Sequence, residues 1–124
     1  MHPFEHQLRD AGLAFESNRG VGARLTIDNR IVSIQDHAGS WIVIAVVCRA
    51  ECVAARVVLE AAAELEEAGA LALVTGYYVA RYVMIPGTPI VDLVLRAAGL
   101  AARLEAQLRA VQARAIGLNA HYCS

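Results

Sequence analysis

Eight consecutive apolar residues, Trp41-Ile-Val-Ile-Ala-Val-Val-Cys48, constrain this chain more than any other stretch, because they run almost directly into an alanine-rich segment that continues to Gly69. Read as a strand, the run points Trp41, Val43, Ala45 and Val47 to one face of a sheet and Ile42, Ile44, Val46 and Cys48 to the other. A strand that is apolar on both sides has to be covered on both sides. The segment that follows supplies one cover as a helix: Ala54, Val58, Ala61, Leu65 and Ala68 recur at helical spacing, while Glu51, Glu60, Glu64 and Glu67 stay largely solvated. The other cover has to come from a subunit or a ligand.

Composition points the same way. The 124 residues fit a single domain spanning 1–124, and 57% hydrophobic content is high for a soluble chain of that length. The excess is expected in a subunit interface or a docking patch rather than in a deeper core. Arg49, Arg56, Arg81 and several acids interrupt every apolar stretch before it reaches the roughly 18–20 residues of a membrane span. Met1-His-Pro-Phe-Glu-His6 has neither a basic leader nor an apolar h-region, so secretion by a cleaved signal is not expected. Eleven arginines, without a single lysine, are spread along the chain against twelve acids, and the net charge of -1 leaves no electrostatic footprint for nucleic acid. Cys48, Cys52 and Cys123 are too few for a disulfide framework and suit a reducing compartment, so the expected location is cytoplasmic.

The remaining elements follow from periodicity and punctuation. Phe4, Leu8, Ala11 and Phe15 share one helical face from Pro3 to about Glu16, opposite Glu5 and Arg9, and Ser17-Asn-Arg-Gly20 ends the helix as a turn. Val21, Ala23, Leu25 and Ile27 alternate with Gly22, Arg24, Thr26 and Asp28, which predicts a half-buried strand. Asp28-Asn29 leads into a second strand, Arg30–Gln35, with Val32 and Ile34 facing inward, and Asp36–Ser40 is a loop. With the central run, these strands make an antiparallel meander. After a helix of about seventeen residues that stops at Gly69, Leu71–Thr75 and Tyr77–Ile85 read as strand, Gly76 being either a hairpin turn or a bulge. Thr88 as N-cap and Pro89 at the first helical position open a long helix. Its buried stripe is Ile90, Leu93, Val94, Ala97, Leu100, Ala101, Leu104, Leu108 and Val111, and it ends before Gly117. The tail after it is too short and mixed to assign. The predicted class is α+β, an antiparallel sheet of about five strands flanked by three helices in the order α-β-β-β-α-β-β-α.

No constellation names a reaction. Cys48 and Cys52 form a C-x3-C pair across the strand-to-helix join with no second pair nearby, and His2 and His6 share a helix face without a third ligand, so no metal and no cofactor are expected. Cys48, His37 and Asp36 supply the residue types of a nucleophilic site, but Cys48 lies eleven residues along the chain from His37, at the far end of its strand. Gly20-Val-Gly22 and Gly87 make no phosphate cradle. Tyr77, Tyr78 and Tyr82 around Arg81 form the one cluster suited to recognition, with cross-strand packing an equally good reading. Arg96, Arg103, Arg109 and Arg114 are most simply a solvated helix face.

Taken with Ala23-Arg-Leu-Thr-Ile-Asp-Asn-Arg-Ile-Val-Ser-Ile34, Trp41-Ile-Val-Ile-Ala45 and Gly69-Ala-Leu-Ala-Leu-Val74, this order of elements resembles the class I type III secretion chaperones over about residues 4–111. The resemblance implies a non-enzymatic homodimer that holds the unfolded N-terminal segment of a secreted effector in apolar grooves, by strand addition or short apolar anchors. The client surface it implies is Phe4, Leu8, Phe15, Leu25, Ile27, Val32 and Ile34. The dimer interface it implies lies in the middle helix and the strands after it, at Val53, Val57, Val58, Leu65, Leu73, Tyr77, Tyr78 and Tyr82. Domains of the YbjN type share the element order and are the alternative, as is a small enzyme with a dimer-seam pocket around Arg81 and the tyrosines. One departure stands out: those chaperones are distinctly acidic, and this chain is nearly neutral.

Overall fold

A computed structural model describes residues 3–17, 22–37 and 40–116. Helix α1 covers Pro3–Asp10 and strand β1 covers Glu16–Ser17. Strands β2 (Gly22–Ile27), β3 (Arg30–His37) and β4 (Ser40–Arg49) follow. Helix α2 spans Ala55–Glu64, strands β5 and β6 span Leu71–Val74 and Tyr77–Val83, and helix α3 spans Ile90–Ile116. The strands form one antiparallel sheet in the order β1-β2-β3-β4-β6-β5. The class is α+β as expected, with six strands rather than about five.

The extra strand arises because α1 is shorter than its periodicity suggests. Gly12, at φ +76, takes the chain out of the helix, and the segment beyond it turns back so that Glu16 and Ser17 pair with Arg24 and Ala23. Ser17 donates from Oγ to Glu5 Oε1 at 2.9 Å, tying this edge strand to α1, and Glu5 is buried rather than solvated. Between β2 and β3, Asp28 and Asn29 both have positive φ, 50° and 66°, the pattern of a tight two-residue hairpin. Thr75 and Gly76 repeat it between β5 and β6, which makes Gly76 a turn residue and not a bulge.

The middle helix is also shorter than expected. A 3-10 turn, Ala50–Cys52, precedes α2, and α2 stops ten residues after it starts. Glu66 adopts φ 58° while Glu66 N donates to Ala63 O and Glu67 N to Ala62 O, which is a Schellman closure made without glycine. Gly69 sits instead in a second 3-10 turn, Ala68–Ala70. At the start of α3 the expected cap moves as well. Pro89 O accepts from Asp92 N and Leu93 N, and the free Ile90 N–H donates to Gln7 Oε1 of α1 at 2.8 Å, so a residue on another helix does the capping expected of Thr88.

All three helices pack on one face of the sheet. Phe4 and Leu8 of α1, Val57, Val58, Ala61 and Ala62 of α2, and the full predicted stripe of α3 bury against Leu25, Val32, Ile34, Val43, Ala45 and Ala80. A register shift between Val46 and Cys48 turns two successive residues, Val47 and Cys48, toward that same core. Arg30 fastens this region, donating to Val46 O at 2.8 Å and pairing with Glu105 of α3 at 3.2 Å.

Candidate functional site

The residues assigned to client binding by the resemblance are this protomer's own core. Leu8, Val32 and Ile34 are fully buried, Phe4 and Leu25 are 3% exposed, and Phe15 and Ile27 are half-buried against the same cluster. They cannot form a groove without opening the fold. Most of the proposed dimer residues meet the same objection: Val53, Val57 and Val58 are buried in that core, and Leu65, Tyr78 and Tyr82 pack against it. Leu73, at 62%, and Tyr77, at 41%, are the two that reach the surface.

Strand alternation also divides the tyrosine and arginine cluster. Tyr78 and Tyr82 pair with Cys48 and Val43 on the helical face, whereas Tyr77 and Arg81 pair with Arg49 and Ile44 on the opposite face. Tyr82 lies under the Arg96 guanidinium, 5.9 Å from ring centroid to Cζ, and burial, helped by Glu67, pushes its hydroxyl pKa up. The cluster is therefore cross-strand packing for two of its members and surface for the other two.

Nor does the structure assemble a nucleophilic or metal site among the described residues. Cys48 is a buried thiol beside Tyr78, while Asp36 pairs with Trp41 at the other end of β4, about 23 Å away at strand rise. No three metal-ligating side chains converge among the described residues. The side chain of His37, and His2, His121 and Cys123, lie outside them. Cys52 is disulfide-bonded; the expectation of reduced cysteines fails there, and the compartment inferred from it loses that support.

The surface that remains is the face of the sheet away from the helices. It holds a second apolar cluster, Ile42, Ile44 and Val79 with Val46, Ala72 and Val74 packed against it, made of strand residues alone. These are the second set of side chains in the central run, whose need for a cover was legible from parity. Around them stand exposed apolar residues, Ile31 at 36%, Tyr77 and, at 54%, Val83. The ladders align this face into cross-strand rows. One row reads Arg24, Ser33, Ile44, Arg81, and its neighbour reads Gly22, Gln35, Ile42, Val83. A hollow of about 500 Å3 opens on this face, bordered by Arg24, Ile31, Ser33, Gln35, Val46 and Tyr77. Two features hold it in shape. Gly22 passes so close to β3 that a Cβ there would lie 1.8 Å from Ile34 O, and Arg30 fixes Val46 at the bulge.

Chemically the face offers apolar contact, aromatic edge and guanidinium hydrogen bonds. Ser33 and the Asp36 carboxylate also border the hollow, and its apolar rim and guanidinium groups are the kind of surface that binds. Comparison of the chain with family models, curated proteins and solved structures returns no match.

Proposed function

We propose that this chain is a non-enzymatic, chaperone-type binding domain that holds an extended, unfolded segment of another protein against the sheet face opposite the helices. One observation carries the reading: all three helices lie on one side, and the other side keeps an apolar cluster with an exposed apolar rim. A monomer that needed nothing there would carry polar residues at those positions. The specific form implied by the resemblance is a secretion chaperone whose client is the N-terminal segment of an effector. The homodimer it implies has a free edge to form on, since β5 closes the sheet on one side and exposes Leu73 beside it.

A reduced and alkylated model protein, which stays unfolded, tests the reading. The wild-type chain is expected to bind it, Val83→Asp and Ile31→Asp to lose that binding while remaining folded by circular dichroism, and Leu59→Asp on α2 to retain it. Equal binding by all four would contradict the assignment of the face.

A further inference from the structure

Resting on that reading, we infer that the sheet face selects clients by charge: it takes an extended segment carrying two acidic side chains four residues apart with a large apolar side chain midway between them.

The arginines supply the argument. Arg30, Arg49, Arg103, Arg109 and Arg114 each meet a carboxylate within 4.0 Å, and Arg9 and Arg96 each lie over an aromatic ring. Among the described arginines Arg24, Arg56 and Arg81 do neither and are exposed; Arg56 lies on α2, and Arg24 and Arg81 lie on this face. Arg24 and Arg81 stand three strands apart in one cross-strand row that runs Glu16, Arg24, Ser33, Ile44, Arg81. Among the described residues of β2 to β6, Asp36 at the end of β3 is the one acid that borders the hollow beside them, and it forms no ion pair with either arginine. The nearest by register is Glu16 on the edge strand, opposite Arg24, and it forms no ion pair with it. Two unpaired guanidinium groups bracketing an apolar strip therefore define the chemistry of the missing cover.

Geometry sets the spacing. Arg24 and Arg81 are three inter-strand steps apart, about 14 Å, and an extended chain lying along the row rises about 3.3 Å per residue, so about four residues separate the side chains that reach them. Positions i, i+2 and i+4 of an extended chain share a face. Acids at i and i+4 thus meet Arg24 and Arg81, while i+2 falls midway, between Ser33 and Ile44, where a large apolar side chain reaches Ile44. The same spacing is too wide for one small anion to bridge. Packing the face on a second copy of itself would bring four guanidinium groups together over one apolar strip, which disfavours self-association here.

Short fluorescein-labelled peptides with the cores Glu-x-Ile-x-Glu, Lys-x-Ile-x-Lys and Ser-x-Ile-x-Ser, read by anisotropy against the full chain, test this. The Glu peptide is expected to bind most tightly, by about five- to tenfold over the Ser peptide, with a preference that shrinks as salt rises. Arg24→Gln and Arg81→Gln should each erase much of that preference, and the Arg24→Glu, Arg81→Glu double variant should favour the Lys peptide. Equal binding of all three peptides, lost in Val83→Asp, would overturn charge selection and leave the proposed function standing. No peptide binding, together with no binding of the unfolded model protein, would overturn both. A dimer by light scattering that Val83→Asp converts to monomer would place a second copy on the face and overturn the inference.

Discussion

Glu64 shows how a single surface carboxylate joins two helices and makes the joint sensitive to acid. Gln107 and Arg114 hydrogen-bond it from α3, Arg114 at 2.7 Å, and these bonds hold its pKa below the ordinary value. A carboxyl with a lowered folded-state pKa contributes stability that is complete above its ordinary value, near 4.5, and is lost as pH falls through the lower folded value. Urea midpoints measured from pH 7 down to pH 3 are expected to fall less steeply for Glu64→Gln than for the wild type; parallel curves would show that the contact is not formed in solution. Gly22 is the stricter case. Its missing Cβ would meet backbone, which cannot swing aside as a side chain can, so Gly22→Ala should cost roughly 2 kcal/mol or more and loosen the β2–β3 ladder. An unchanged melting temperature would contradict that close approach.

Among the elements, the two hairpins and the cap of α3 carry the sharpest expectations. Thr75 occupies φ 49°, where a β-branched residue is strained, while Gly76 beside it is at ease. Thr75→Asn or Thr75→Gly should therefore stabilise the fold by up to about 1 kcal/mol, visible as a raised melting temperature. Gln7→Ala should lower stability by about 1 kcal/mol, because it removes the only side chain among the described residues that satisfies the first free N–H of α3. Thr88→Ala should do little. The sequence shows why such caps are hard to foresee: Thr88 and Pro89 have the local chemistry of a helix start, but the acceptor came from a residue far along the chain on α1. The helix ends are similar. Periodicity carried α1 to Glu16 and α2 to Gly69, since Phe15 and Ala68 continue the apolar spacing, whereas Gly12 and the αL turn at Glu66 stop the helices earlier. The long stripe of α3 and the order of the β2–β3–β4 meander, whose signals are strong and local, were legible, but β3 runs on to His37 and β4 starts at Ser40 where a loop was expected, and the bulge turns Cys48 inward.

For the molecule as a whole, parity in the central strand showed that two apolar faces exist but not which face the helices take. Val32 and Ile34 alternate with Ile31 and Ser33 in either case; a one-residue change of orientation would exchange core and surface. The client residues implied by the resemblance, among them Leu25 and the Val32 and Ile34 that alternation places inward, are buried, and Ile31, Val83 and Arg24 stand exposed on the other face. The unpaired state of Arg24 and Arg81 was likewise invisible until cross-strand register placed them in one row.

Hydroxyl-radical footprinting of the full chain, with and without an unfolded client, tests the central claim most directly. Binding at the face opposite the helices should protect Ile31, Tyr77 and Val83 and leave Leu59 and Leu95, exposed on α2 and α3, labelled as before. Protection of Leu59 and Leu95 with Ile31, Tyr77 and Val83 unchanged would contradict it.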